Sequence, residues 1–94
     1  MEAMQTDVKD NPARSRYELE IDGQIVFGDY RRQGDVLAIT HVEAPPALRG
    51  SGAAGRFMQG LAETARAEQL KLRPICGYAA AWLKRHPDYA DVVA

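Results

Sequence analysis

Cysteine is almost absent from the sequence, and so are the long apolar runs that would hold a protein in a membrane. The 94 residues include one cysteine, so no disulfide can form within the chain, and a disulfide-stapled mini-protein is excluded. No apolar run approaches the roughly 20 residues that cross a bilayer, and Met1–Asp7 lacks the apolar stretch of a secretion signal. We expect a cytoplasmic protein with no membrane partner.

The sequence also lacks an excess of charge of either sign. The 12 Lys and Arg residues nearly balance the 13 Asp and Glu residues, which gives a formal net charge of -1. Proteins that bind nucleic acid usually carry a basic surplus, so we predict no nucleic-acid partner, and we predict no metal site. What the chain does have is 46% apolar residues, which is enough for one modest core in a single domain.

Alternation of apolar and charged residues predicts an antiparallel meander. The segment Arg16–Ile21 alternates in this way, as a half-buried strand does, and Asp22-Gly23 after it is a strong hairpin signal. The three predicted strands cover residues 16–21, 24–31 and 36–42. Residues 1–15 have no hydrophobic period, so we assign them to a frayed or disordered lead-in and the domain to residues 16–94.

A long helix, a fourth strand and a shorter helix are predicted after the meander. Phe57, Leu61 and Ala65 recur at helical spacing within Ala53–Gln69. The later elements are a strand over 70–76, a helix over 78–85 and a final turn over 88–93. Proline has no N–H to give to a sheet, so Pro74 marks the fourth strand as an edge strand or as one that splays from its neighbour.

The order of these elements predicts the fold class. The third strand, the long helix and the fourth strand form a βαβ crossover, which makes the two strands parallel. We therefore predict a small α+β fold of mixed α/β character, with an antiparallel three-stranded meander, a parallel fourth strand and helices packed on the sheet.

A glycine-rich segment opens the long helix and carries the clearest functional signal. The residues Gly50-Ser51-Gly52-Ala53-Ala54-Gly55 match the spacing of the dinucleotide fingerprint and come close to that of a P-loop. Both fail in context, because Arg56 and Phe57 stand where a P-loop has Lys and Ser or Thr, and the next strand offers no acid for a ribose. A glycine turn at a helix start still favours a bound phosphate, with Arg49 and Arg56 beside it. A turn that only permits close packing is the alternative.

Four motifs in order resemble one acetyltransferase family. Arg49-x-x-Gly52-x-Ala54 is similar to the R/Q-x-x-G-x-G/A signature of the GNAT N-acetyltransferases, whose backbone amides hold the diphosphate of coenzyme A. The other matching segments are Thr40-His41-Val42-Glu43, Pro74-Ile75-Cys76-Gly77-Tyr78 and Arg85-His86-Pro87-Asp88-Tyr89. Together they resemble the smallest, single-domain YjdJ-like members of that superfamily over about Tyr17 to Val93.

The resemblance implies acetyl-CoA as co-substrate and an unidentified amine as acceptor. It implies that the third and fourth strands splay and that the pantetheine arm of the cofactor lies between them. The implied cofactor-binding residues are Val42, Glu43, Arg49, Gly50, Ser51, Gly52, Ala53, Ala54, Gly55, Arg56, Cys76, Tyr78, Lys84 and Arg85. For Lys84, Arg85 and His86, cations that suit a solvated helix end are an equally good explanation.

Three residues are candidates for the chemistry, each with a plainer alternative. Cys76 would lie beside the thioester as a lining residue or, less favoured, as an acyl acceptor, and a buried free cysteine is the alternative. His41 could take a proton near neutral pH, or it could pack on the face shared with Leu37 and Ile39. Tyr78 could protonate the departing thiolate, as tyrosine does in larger GNAT enzymes, or it could be an aromatic anchor.

The functional prediction is therefore an acetyl-CoA-binding N-acetyltransferase. A non-catalytic module that binds or senses coenzyme A is one alternative, and a small protein-interaction domain without a cofactor is another.

Overall fold

The computed structural model describes residues 7–94 and shows a five-stranded sheet with two helices. The strands are β1 (Lys9–Asn11), β2 (Arg16–Ile21), β3 (Gln24–Gln33), β4 (Val36–Glu43) and β5 (Lys71–Pro74), and the helices are α1 (Ala53–Glu68) and α2 (Gly77–Arg85). The strand order is β1-β2-β3-β4-β5. Single 3-10 turns cover Pro12–Arg14, Pro46–Leu48 and Pro87–Val92. Neither α-helix of this part of the chain is long and apolar enough to cross a bilayer.

The predicted fold class is confirmed. β2, β3 and β4 pair antiparallel in sequence order, and β5 pairs parallel with β4 after the α1 crossover. The predicted lead-in differs from the structure, because Lys9–Asn11 pairs with Arg16–Glu18 as an antiparallel edge strand and Val8 is buried. Residues 1–6 of that lead-in lie outside the described residues. A three-residue polar strand has no sequence period, so only its pairing with β2 reveals it.

Both helices cover the same face of the sheet. The most completely buried side chains come from the inner face of the sheet, from α1 and from the C-terminal turn: Val26, Leu37, Ile39, Phe57, Met58, Leu61, Leu72 and Val92. Gly28 lies under α1 at the closest approach, where an added Cβ would come to 2.9 Å from the Phe57 ring. No helix among residues 7–94 covers the other face, which we call the outer face.

The C-terminal turn is fastened to α1 by polar contacts. The Tyr89 hydroxyl donates to Glu63 at 2.6 Å, and the Arg66 guanidinium donates to both carboxylate oxygens of Asp91 at 2.9 and 2.7 Å. The Lys71 ammonium donates to the Asp91 carbonyl. These contacts close the helical layer over β5, the strand that bounds the candidate site.

Candidate active site

The glycine turn at the start of α1 leaves backbone donors facing outward. Gly50 and Gly52 have φ of +83° and +85°, a conformation that side chains disfavour, and Gly52 caps the helix. The first N–H with a helical partner is that of Arg56, which donates to the Gly52 carbonyl at 3.0 Å. The N–H groups of Ala53, Ala54 and Gly55 therefore lie in the turn where a helix offers no acceptors. The first turn carries no acidic residue, so this end suits an anion.

The loop before this turn is fixed by its own hydrogen bonds. The Ser51 hydroxyl donates to the Leu48 carbonyl at 2.5 Å, and the Ser51 N–H donates to the same oxygen at 3.2 Å. The Arg49 Nε donates to the Ala44 carbonyl at 3.1 Å, so one nitrogen of this exposed side chain holds the proline loop. Leu48 is buried and anchors the loop. The glycine turn is thus held in place by its neighbours.

β4 and β5 part beside this turn. Their pairing runs from Val36 opposite Lys71 to Ile39 opposite Pro74. The Ile39 carbonyl then accepts the N–H groups of both Ile75 and Cys76, at 3.0 and 2.9 Å. β4 continues to Glu43 with only β3 at its side. The structure thus has a split between these strands, as expected from Pro74, with Val42 and Glu43 along its β4 side.

A β-bulge decides which way His41 points. Asp29 faces His41 but Tyr30 faces Ile39, so Thr40 is an extra residue in β4 and its hydroxyl donates to the Asp29 carbonyl at 3.4 Å. A bulge of this kind shifts the alternation by one residue. His41 therefore lies on the outer face, whereas Leu37 and Ile39 lie in the core. The alternative of a core-packed histidine beside those two residues is wrong.

His41 is paired with an acid on the outer face. Its Nε2 lies 2.9 Å from Oε1 of Glu43, and about half of each side chain is exposed. The imidazole ring centre is 6.3 Å from that of Phe27 on the adjacent strand. A carboxylate on one ring nitrogen fixes the orientation of the imidazole and stabilises its protonated form. This arrangement suits a residue that accepts a proton.

Cys76 lies just past β5 and not within it. The predicted strand ends at this residue, but β5 ends at Pro74, and Cys76 is the residue that precedes the first turn of α2. Its N–H is held by Ile39, and its carbonyl accepts the Ala80 N–H at 3.0 Å. The partly buried side chain packs against the core, whereas His41 lies on the outer face. Among the described residues, no hydrogen bond joins the Cys76 thiol to a base.

Tyr78 brings a phenol to the start of α1. A Cβ added to Gly55 would lie 3.9 Å from the Tyr78 hydroxyl and 3.6 Å from Nε1 of Trp82, so Gly55 lets α2 approach the first turn of α1. Burial raises the pKa of Tyr78, the Arg85 charge lowers it less, and Cys76 raises it. The phenol therefore keeps its proton at neutral pH and can act as a donor.

The closing motif has a mainly structural role. The rings of His86 and Trp82 stack with centres 3.8 Å apart, and His86 Nδ1 lies 2.7 Å from the Trp82 carbonyl. A carbonyl only accepts, so Nδ1 carries the hydrogen. Lys84 and Arg85 are exposed in the last turn of α2, at the opposite end from Cys76. Sequence reasoning missed this stacking, because a histidine four residues after a tryptophan is also the spacing of two exposed side chains.

The comparisons with known proteins agree with this geometry. The sequence matches the profile of the GCN5-related N-acetyl-transferase family over residues 16–92. The chain belongs to this family. A GCN5-like protein from Staphylococcus aureus, solved by NMR, shares the fold with a TM-score of 0.71 and 21% sequence identity, over 98% of this chain and 91% of that one. Among curated proteins, none matches significantly.

Family membership identifies the chain as related to acetyltransferases. Within the GCN5-related family, the glycine turn, the split beside it and the phenol of α2 occupy one side of the molecule, and His41 reaches the split from the outer face. The structure therefore brings together four of the predicted groups and leaves Lys84 apart.

Proposed function

We propose that the chain is an N-acetyltransferase that binds acetyl-CoA in the split and transfers the acetyl group to an amine. The observation that carries the proposal is the glycine turn of a GCN5-related chain lying beside a split in its sheet. The donor set fits a diphosphate, because the N–H groups of Ala53, Ala54 and Gly55 point outward at the positive end of a helix. Arg49 and Arg56 are exposed beside them.

The other predicted cofactor contacts follow the split. The main chain of Val42 and Glu43, on the β4 side beyond the last β5 pair, offers hydrogen-bonding groups to the amides of the pantetheine arm. Cys76 lines the opposite side as a small apolar group. For Lys84 and Arg85, the proposed contact is the 3′-phosphate at the far end of the cofactor. Residues 16–94 form the proposed cofactor-binding domain, and β1 extends its sheet.

The chemistry divides between the two faces of the sheet. Acetyl-CoA supplies the acetyl group as a thioester. His41, held by Glu43, takes the proton from the acceptor ammonium, so that the neutral amine can attack the thioester carbon. The C–N bond forms, the C–S bond breaks, and Tyr78 gives its proton to the departing sulfur. A covalent role for Cys76 is disfavoured, because no base contacts its thiol within residues 7–94.

Calorimetric titration with coenzyme A tests the binding half of this proposal. Gly52→Ala should weaken binding by about tenfold or more, since one lost charge-assisted contact has that size. Gly23→Ala is the matched control, because both glycines have positive φ and open space where a Cβ would go. Arg49→Glu should also weaken binding strongly.

The same titration separates the alternatives. Equal affinity in Gly52→Ala and Gly23→Ala would place the diphosphate elsewhere. Binding without loss of the acetyl group from acetyl-CoA, across a panel of amines, would favour a non-catalytic sensing module. No heat at sub-millimolar coenzyme A in a folded sample would leave a protein-interaction domain.

A further inference from the structure

A small cleft on the outer face lies next to the split and has no role in the cofactor site. It is lined by Arg31 and Gln33 of β3, Val36 and Ala38 of β4, and Arg73 of β5, and its volume is about 160 Å³. We call it the arginine cleft. Its floor is apolar, and its two cations stand on different strands.

The strand register sets the two arginines on either side of one small residue. Ala38 faces Arg31 on one neighbouring strand and Arg73 on the other. Adjacent strands lie about 4.8 Å apart, so the two Cα atoms are about 10 Å apart. Because Ala38 carries only a methyl group, the space between the two long side chains stays open.

The two guanidinium groups lack the acidic partners that other arginines of the chain have. Arg16 pairs with Glu18 and Arg66 with Asp91, both at 2.7 Å. Within residues 7–94, no carboxylate lies within ion-pair distance of Arg31 or Arg73. Asp29, the next outer-face residue on β3, faces Arg16 and His41 instead.

Two unneutralised cations over an apolar floor favour an anion between them. An oxyanion bound there removes their mutual repulsion, and the planar guanidinium offers paired N–H groups that match a carboxylate or a phosphate. The cleft therefore has the chemistry of an oxyanion site.

The position of the cleft connects it to the reaction. Ala38 directly precedes Ile39, whose carbonyl marks the point where β4 and β5 part. The cleft opens on the outer face, the same face as His41. A molecule bound there has its far end within reach of the split and of the proposed proton acceptor.

We propose that the arginine cleft binds the acceptor, and that the acceptor is a small amine that also carries an oxyanion, either a carboxylate or a phosphate. This inference rests on the proposed function. The split lies about three residues along β5 from Arg73, roughly 10 Å, so several bonds separate the oxyanion from the amine.

Binding without cofactor tests the cleft directly. Inorganic phosphate and 5-aminopentanoate, added separately to the isotope-labelled protein, should shift the amide signals of Ala38 and Arg73 in a saturable way. Arg31→Gln and Arg73→Gln should each weaken both ligands by about tenfold, the size of a lost charge-assisted contact. Arg14→Gln removes the same charge from an exposed turn and should change nothing.

A second variant and a neutral ligand complete the experiment. Ala38→Leu keeps both charges but fills the cleft, and it should abolish binding of 5-aminopentanoate. The neutral 5-aminopentanamide should not bind at the cleft. In turnover, the carboxylate substrate should exceed the amide about tenfold in kcat/KM, and Arg73→Gln should remove that preference. The two ligands, used side by side, also tell a carboxylate site from a phosphate site.

The outcomes separate this inference from the proposed function. If coenzyme A binds but neither oxyanion shifts the cleft amides, or if Arg14→Gln weakens binding as much as Arg73→Gln, the cleft assignment is wrong. If the oxyanions bind but coenzyme A does not, the acetyltransferase proposal fails, and the acceptor role of the cleft fails with it.

Discussion

At the residue scale, Tyr78 connects sequence, packing and chemistry most directly. Gly55 has no side chain, so the phenol can approach the first turn of α1, and partial burial raises its pKa above the ordinary value of 10.0. An acid with this pKa stays protonated through the neutral range. Its protonated form is lost only as the pH rises through the raised pKa, so the loss belongs above pH 10.

Tyr78→Phe should lower kcat by about a hundredfold, the usual size of a lost general acid, with little change in the affinity for coenzyme A. The wild-type rate should fall above pH 10, and the variant should lack that fall. Steady-state kinetics with the best amine acceptor measure both effects. Tyr30→Phe is the control, since its hydroxyl donates to Asp10 at the far edge of the sheet. An unchanged kcat in Tyr78→Phe would leave Tyr78 as an aromatic anchor.

Single residues also show where sequence reasoning stops. Pro74 indicated a parting of strands because its missing N–H is a local property, and the pairing with β4 ends at that residue. The orientation of His41 could not be obtained in this way. It depends on the extra residue Thr40, and a bulge is defined by the pairing partner on β3. One inserted residue moved a proposed catalytic group from the core to the outer face.

At the element scale, the helical layer is closed by contacts that bury tyrosine hydroxyls. The Tyr89 hydroxyl donates to Glu63 of α1, and burial, that hydrogen bond and the nearby acid raise the pKa of Tyr89 to about 12. In the unfolded chain this pKa is near 10. The folded state therefore holds the proton more tightly, and its stabilising effect is complete below pH 10 and lost between about pH 10 and 12.

Tyr89→Phe should lower the free energy of unfolding at pH 7 by about 1 kcal/mol, since it removes one hydrogen bond and leaves Glu63 without that donor. The variant should also lose less stability than the wild type between pH 10 and 12. Urea unfolding at several pH values measures both quantities. The same alkaline dependence in the variant and the wild type would assign the effect to Tyr17 and Tyr30, whose pKa values are also raised to about 12.

The predicted elements were recovered to different extents, and for physical reasons. β2, β3, β4 and α1 follow hydrophobic periods that are set by one buried face, and their bounds lie close to the predicted ones. β1 has three polar residues and exists by pairing with β2. The predicted strand over 70–76 was too long, because Ile75 and Cys76 both donate to one carbonyl and thereby leave the ladder.

At the scale of the whole molecule, the sheet separates two kinds of surface. Helices cover one face and present the glycine turn and the phenol to the split. The outer face presents His41, Glu43 and the arginine cleft to the same split. The near-neutral net charge of -1 therefore conceals local concentrations of arginine beside the glycine turn and across the cleft. The proposed reaction needs both surfaces, since the cofactor and the acceptor approach the split from different sides.

Titration of the isotope-labelled protein with coenzyme A, followed through its backbone amide signals, tests the central claim most directly. The account predicts saturable shifts at Gly50–Arg56, at Val42 and Glu43 and at Cys76, with little change along β1. It also predicts that Gly52→Ala weakens these shifts while Gly23→Ala does not. Saturable binding that leaves the signals of Gly50–Arg56 unmoved would contradict it.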